Sequence, residues 1–458
     1  MPALQDKIAN RTAYVAVIGL GYVGLPLATA FARAGFRTLG VDVNQRKVDS
    51  IVAGRSYIPD VPDDGLVPHV ESGRLTATSD YDVLREADAI FICVPTPYDA
   101  QRAPDLSYIQ AASYGIRLRM KPGQLVVLQS TTYPGTTEEI VQPILEKSGL
   151  KAGEDFYLAF SPERIDPGNR QWSAYNTPKV VGGITPECTQ LAADLLRQMG
   201  APVHLVSSPR AAELTKLLEN TFRAVNIALV NELALLAERM GIDFWEVVAA
   251  AKTKPFGFMS FYPGPGVGGH CIPVDPYYLS WKAREYDYYT EFIELAGEVN
   301  QAMPYHVVDL VSQALSCHKK PLCGARVLVL GVAFKSDIDD ARNSPAERVI
   351  ELLLGRGAEV CYHDPYVPCF QVGDDVFHRQ TVVLESVPLT EEELTVADCV
   401  VIVTGHRCLD YIHVVRYADL LVDTCNATAG ISDHGEKIVR LGVPLPLPRS
   451  RADVGREG

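Results

Sequence analysis

Short apolar runs alternate with amphipathic stretches along most of this chain. YVAVI (14–18), FRTLGV (36–41), the AIFI of ADAIFICVPTP and the LVVL of QLVVLQSTT show no regular polar alternation, which is the pattern of strands buried on both faces of a parallel sheet. LPLATAFARAG, between the first two, reads as a helix ended by Gly35. Around Ser208 the period changes to that of a long helix, with Ser208 as N-cap and Pro209 in the first turn, running to about Gly241. Its apolar face includes Leu214, Leu217, Leu218, Phe222, Val225 and Leu229, while Lys216 and Asn220 lie one turn apart on another face. DFWEVVAAA and the stretch from Glu291 to about Ala302 are further helices. From about Pro321 the first pattern resumes: ARVLVLG, AEVCYHDP, ADCVVIVTG and DLLVDT read as strands, and SPAERVIELLLGRG as a helix capped by Ser344. The tail after about Leu445 is polar and expected to be mobile.

These patterns predict an α/β chain: two Rossmann-like, doubly wound parallel-sheet domains at 1–207 and 319–458, joined by a long central helix and a helical region at 208–318. The first strand runs straight into GLGYVG, and the second ends at Asp42. A strand, glycine turn, helix, strand and terminal acid is the context in which GxGxxG means dinucleotide binding. Gly19 permits the tight turn, Gly21 the close approach of a pyrophosphate and Gly24 the packing of helix on strand; Tyr22 and Val23 complete the turn. Asp42 suits both adenosine ribose hydroxyls and would repel a 2′-phosphate, which favours NAD. Thr96 and Thr131 follow the next strands, at the ligand edge of such a sheet, and are further candidates for cofactor contact.

Composition narrows the partners. The 458 residues are 47% hydrophobic and 21% charged, enough for two or three ordinary domains. A formal charge of −14 disfavours nucleic acid, so a phosphate would have to be held by local cations. There is no signal-peptide pattern, and no apolar run approaches the roughly 20 residues of a membrane span, so a cytoplasmic protein without membrane association is expected. Ten cysteines without a CxxC pair or zinc-type spacing predict reduced thiols, mostly in the core, and no metal site.

One cysteine stands apart. Cys271 lies in GPGVGGHCIPVDP, four residues before Asp275, in a loop whose glycines let a substrate approach the backbone and whose prolines stiffen it. A thiol so presented suits a nucleophile. Phe261, Tyr262 and Gly268 of the same loop are candidate substrate contacts. Glu163, in AFSPERIDPGNR, follows an apolar strand at a proline-bounded turn; it can serve as a base for water or form a surface ion pair with Arg164. Lys216 and Asn220 can stabilise an oxyanion from a rigid helix, or belong to a solvated helix face. Lys335 and Arg342, in GVAFKSDIDDARNSPA, can reach anionic oxygens or form an ordinary charged loop.

Taken together and in this order, the strings resemble the UDP-sugar 6-dehydrogenases of the UDP-glucose/GDP-mannose dehydrogenase family. The resemblance implies an N-terminal NAD domain, a central helical dimerisation region and a C-terminal nucleotide-sugar domain, and hence a homodimer or higher homo-oligomer. It implies Cys271 as nucleophile with Asp275 beside it, Glu163 handling the hydrolytic water, Lys216 and Asn220 on the oxyanion, a hydroxyl from Thr131, Lys335 facing the sugar and Arg342 reaching the cofactor. Arg164 is expected at the substrate. CIPVD and PERIDPG depart from the CLPKD and PEFLRE patterns common among UDP-glucose enzymes and look more like the branch that oxidises UDP-N-acetylglucosamine or a close N-acetylhexosamine relative. UDP-glucose oxidation, and a catalytically silent NAD-binding sensor or scaffold, are the alternatives.

Overall fold

A computed structural model describes residues 3–58, 60–99, 103–166, 169, 171–373 and 381–445. The chain divides into two compact units, 1–219 with 274–289 and 220–273 with 290–458.

The first unit is built on eight strands: β1 Tyr14–Ile18, β2 Arg37–Val41, β3 Leu75–Thr78, β4 Ala89–Ile92, β5 Leu125–Leu128, β6 Tyr157–Phe160, β7 Lys179–Gly183 and β8 Val203–Leu205. Their order is β3-β2-β1-β4-β5-β6-β7-β8. All neighbours are parallel except β6 and β7. The period of two sends Val15 and Val17 into one apolar cluster and Ala16 and Ile18 into another, so both faces of β1 are covered. Val15, Val17 and Ile18, taken fully out of water, each contribute about 1.5–3 kcal/mol. The order reverses between β1 and β4, which is where a doubly wound sheet opens a ligand crevice.

The second unit carries β9 Arg326–Leu330, β10 Glu359–His363, β13 Cys399–Ile402, β14 Leu421–Asp423 and β15 Ile438–Arg440 in the parallel order β10-β9-β13-β14-β15. A small antiparallel pair, β11 Cys369–Val372 and β12 Val382–Glu385, stands beside them in sequence. Here too Val327 and Val329 enter one cluster, Leu328 and Leu330 another. The two doubly wound sheets agree with the sequence pattern.

The helices differ in several respects. The helix predicted from Glu291 to about Ala302 continues through Pro304 to Cys317, and an unpredicted helix, Asp275–Ala283, begins at Asp275. The long helix is Pro209–Met240, but most of its predicted apolar face is not core: Leu217 is buried, whereas Leu214, Leu218, Phe222 and Leu229 are exposed. Lys216 and Asn220, on the supposedly polar face, are buried.

All ten cysteines are free. The expectation that most lie in the core fails, because only Cys93, Cys188 and Cys399 are buried while Cys271, Cys317, Cys323, Cys369 and Cys408 are exposed in loops or at element ends. Among the described residues no helix is long and apolar enough to cross a membrane. The polar tail, 446–458, lies outside the described residues.

Candidate active site

The glycine turn separates three steric roles. A Cβ on Gly19, at φ +89°, would stand 2.5 Å from the Cys93 carbonyl oxygen, and one on Gly24 would stand 1.8 Å from the Gly19 carbonyl oxygen. A Cβ on Gly21 would meet nothing within 4 Å. Two glycines are thus required by packing, and the third leaves open space at the start of the helix Gly24–Arg33, which fits a pyrophosphate. Tyr22 and Val23 are half-buried there. Asp42 is buried; its two oxygens accept the Leu20 and Asn44 amides at 2.8 and 2.9 Å, and Lys47 approaches at 3.4 Å. A carboxylate with about four lone-pair positions retains capacity for a ribose hydroxyl. The donors and the space fit a dinucleotide. Thr96 is buried after β4, where its carbonyl accepts the Tyr278 hydroxyl.

At the ends of β5 and β6 the first unit gathers the other candidates. Thr131 is half-buried in the STTYPGT turn. That turn is tied to the long helix by Glu213, which accepts the Gly135 amide at 2.5 Å, the Thr137 amide at 3.0 Å and the Thr137 hydroxyl at 2.7 Å. Burial, only partly offset by these donors, pushes the Glu213 carboxyl up to about 6. Lys216 follows on the same helix, one turn before Asn220. Glu163 forms no surface pair with Arg164. It is buried and accepts Lys179 Nζ on both oxygens at 2.8 and 2.9 Å and Gln129 Nε2 at 2.8 Å. The Arg164 and Ile165 amides complete its shell at 2.8 and 3.1 Å. The Arg164 guanidinium turns to Glu219 at 2.6 Å. Asp275, 2% exposed, opens its helix in the same unit.

In the second unit the loop that leads to the exposed Cys271 thiol is pinned at two places before it. The Gly264 amide donates to Asn231 Oδ1, Asn231 donates to Asn300 and Asn300 to the Ala224 carbonyl, at 3.0, 3.0 and 3.1 Å. Further on, the Gly269 amide donates to the Arg342 carbonyl and Asn343 Nδ2 to the Gly269 carbonyl, both at 3.1 Å. A Cβ on Gly268 would meet Phe334 and Pro345 at 2.8 Å. Phe261 packs on Phe222 with ring centroids 5.7 Å apart, and Tyr262 stacks on Trp245 at 6.1 Å. Lys335 is half-buried in the loop after β9. Arg342 is more exposed and forks onto Asp340 at 2.9 and 2.6 Å, a pairing the sequence did not suggest.

Lys179, Gln129 and Glu213 were missed by sequence reasoning. Each is a charged or amide side chain inside or beside an apolar run, and that oddity was the available signal. Among the described residues no group of three His, Cys, Asp or Glu could hold a metal ion.

Comparison with known proteins identifies the family. Three models of the UDP-glucose/GDP-mannose dehydrogenase family match in succession: its NAD binding domain over 13–200, its central domain over 210–302 and its UDP binding domain over 328–430. The chain belongs to this family. It is an NAD-dependent oxidoreductase of the nucleotide-sugar dehydrogenases, and its UDP binding domain marks a UDP-sugar substrate. It is 40% identical over 368 residues, 80% of its length and 85% of the relative's, to the UDP-N-acetyl-D-glucosamine 6-dehydrogenase of Pseudomonas aeruginosa. It is 37% identical over 405 residues, 86% of its length and 90% of the relative's, to an NDP-N-acetyl-D-galactosaminuronic acid dehydrogenase of Ralstonia nicotianae. Among solved family structures, the UDP-D-ManNAc dehydrogenase of Pyrococcus horikoshii superposes with a TM-score of 0.84 at 33% identity, covering 94% of this chain and 99% of that one.

Proposed function

We propose that this dehydrogenase oxidises the C6 hydroxymethyl group of UDP-N-acetylglucosamine, or a close N-acetylhexosamine relative, to the uronate through a thioester on Cys271. The observation that carries the chemistry is the exposed thiol just past a loop whose backbone is pinned at Gly264 and Gly269. Relatives named for N-acetylglucosamine, N-acetylgalactosaminuronic acid and N-acetylmannosamine support the substrate class.

NAD would be held by Gly19, Gly21, Gly24 and Asp42, with the same role given to Tyr22, Val23, Thr96, Thr131 and Arg342, and one NAD would accept the hydride of each oxidation, the first NADH leaving before the second NAD binds. A water held by Asp275 and Lys216 takes the hydroxyl proton of the first step. The resulting aldehyde stays bound, and the Cys271 thiolate adds to its carbon to give a thiohemiacetal. Lys216 and Asn220 donate to the charged oxygen that develops there. After the second oxidation, water guided by Glu163 adds to the thioester carbon, the C–S bond breaks and the uronate leaves. Phe261, Tyr262, Gly268, Arg164 and Lys335 serve the UDP-sugar. A panel of UDP-sugars tests this reading: two NADH per uronate, and a kcat/KM for the N-acetylated sugar above that for UDP-glucose by about 1–3 kcal/mol in transition-state terms. Equal or better turnover of UDP-glucose contradicts the substrate assignment.

We also infer a homodimer in the cytoplasm. Leu214, Leu218, Phe222, Leu229, Leu233 and Leu236 form an exposed apolar stripe on the long helix, of the kind that marks a protein interface. Sedimentation as a monomer at micromolar concentration would contradict it.

A further inference from the structure

The first sheet departs from parallel pairing at one step, between β6 and β7, where Ala159 faces Gly183 and Phe160 faces Gly182. A parallel strand brings its last residues to the ligand edge of a sheet, and an antiparallel one brings its first. Lys179, which opens β7, therefore arrives beside Glu163, just beyond the end of β6. Gln129 follows β5 and Cys93 follows β4. The four residues make one buried chain along the ends of four neighbouring strands. Cys93 Sγ donates to Gln129 Oε1 at 3.7 Å, Gln129 Nε2 to Glu163 Oε2, and Lys179 Nζ to both Glu163 oxygens. Burial, reinforced by the Glu163 charge, pushes the Cys93 thiol far up, so it keeps its proton and fixes which way the Gln129 amide faces.

Two properties separate this chain from an incidental ion pair. Lysine is almost never fully buried unless paired, and Lys179 is 0% exposed. Glu163 also accepts the Arg164 and Ile165 amides, so four donors make five hydrogen bonds to its two oxygens and fix both its place and its rotation. Arg164 cannot substitute for the lysine, because its guanidinium is committed to Glu219 and the Pro178 carbonyl.

We propose that Lys179 and Gln129 are positioning residues that hold the Glu163 carboxylate in the single orientation on which thioester hydrolysis depends. The proposal rests on the role given to Glu163 above. The antiparallel strand is then a functional device: it delivers a cation to an edge that parallel strands would supply only from their last residues.

The test follows NADH release, uronate release and the mass of the intact protein in Lys179→Met, Lys179→Arg, Gln129→Met, Glu163→Gln and the double variant Lys179→Met/Glu163→Gln. A misplaced catalytic group costs on the order of 100-fold, so Lys179→Met is expected to slow uronate release by about that factor. An adduct should accumulate on Cys271, as in Glu163→Gln, with KM for the UDP-sugar nearly unchanged, which a general loss of structure would not produce. Lys179→Arg, whose guanidinium can still meet the carboxylate, recovers most of the rate, and Gln129→Met, which keeps the ion pair, shows a smaller loss of the same kind. The double variant leaves no unpaired buried charge, folds even where Lys179→Met does not, and is no slower than Glu163→Gln. Wild-type uronate release without an adduct in Lys179→Met, or a double variant markedly slower than Glu163→Gln, overturns the proposal alone. Wild-type turnover by Glu163→Gln overturns the role of Glu163 and the proposal together.

Discussion

The two sheets begin with the same device and part company one residue later. In each, the first strand ends at a glycine in the left-handed region, Gly19 at φ +89° and Gly331 at φ +83°, pressed against the neighbouring strand's exit. A Cβ there would meet Cys93 in one sheet and Thr404 in the other at 2.5 Å. In each, the second strand is followed by an aspartate, Asp42 or Asp364, that accepts the amide just past the first glycine. The first sheet then starts its helix after five residues, 19–23, with open space at Gly21. The second inserts fourteen residues, 331–344, and caps its helix with Ser344.

That longer loop is latched. Asp364 accepts the Val332, Ala333, Tyr366 and Val367 amides and the His406 ring at 3.1 Å. Because the Asp337 amide donates to His406 Nδ1 at 3.0 Å, the ring proton sits on Nε2 and points to Asp364. A bare helix N-terminus suits a pyrophosphate, and a pinned loop bearing Lys335 suits a second anionic ligand; the NAD and UDP binding models cover the two respectively. A shared strand–glycine–aspartate frame therefore does not set the ligand, and the connection after the glycine does.

Breaking the latch should show the largest asymmetry. Asp364→Ala leaves four amides and a buried imidazole without their acceptor, and an expected loss of about 3–5 kcal/mol is measurable by urea unfolding. Asp42→Ala removes two amide acceptances and should cost far less stability, while the preference for NAD over NADP declines. Equal destabilisation by the two would dissolve the contrast. Within the glycine turn, Gly24→Ala should destabilise by about 1–3 kcal/mol, as overpacking does, with NAD binding lost. Gly21→Ala should leave Tm nearly unchanged and weaken NAD about tenfold or more, near 1.4 kcal/mol; calorimetry of both variants reads the difference.

A further expected effect concerns pH, and the two units differ in sign. Burial would raise the Asp364 carboxyl, but the His406 ring and the amides outweigh it and hold it below the usual range. Its contribution is present above the unfolded pKa and lost as pH falls through the folded one. Glu213 is the reverse: folded near 6 and about 4.5 unfolded, it keeps a proton in the fold that the open chain has released. Stability should therefore decline as pH rises from about 4.5 to 6, by about 2 kcal/mol. Glu213→Gln should flatten that window in pH-dependent unfolding, and an unchanged slope would remove Glu213 as its source.

What the sequence revealed follows from how local each cause is. GLGYVG, Asp42 and the Ser344 cap were legible because a turn, a strand end and a helix start are decided within a few residues. The glycines marked the loop that exposes Cys271, although the Asn231–Asn300 pairing behind that loop joins helices 69 positions apart. Lys179 was not legible, because its place depends on β7 running antiparallel to β6, and strand direction leaves no mark in a strand of five residues. The long helix misled in a different way: its 3.6-residue period was right, but periodicity says which residues share a face and not what covers that face.

The covalent role proposed for Cys271 is tested most directly by intact-protein mass spectrometry of Glu163→Gln during turnover with UDP-N-acetylglucosamine and NAD, beside uronate release by Cys271→Ala. The account predicts a uronyl adduct that maps to Cys271, and no uronate from Cys271→Ala even though it still binds NAD. Uronate released by Cys271→Ala at close to the wild-type rate, with no adduct on Cys271 in Glu163→Gln, would contradict it.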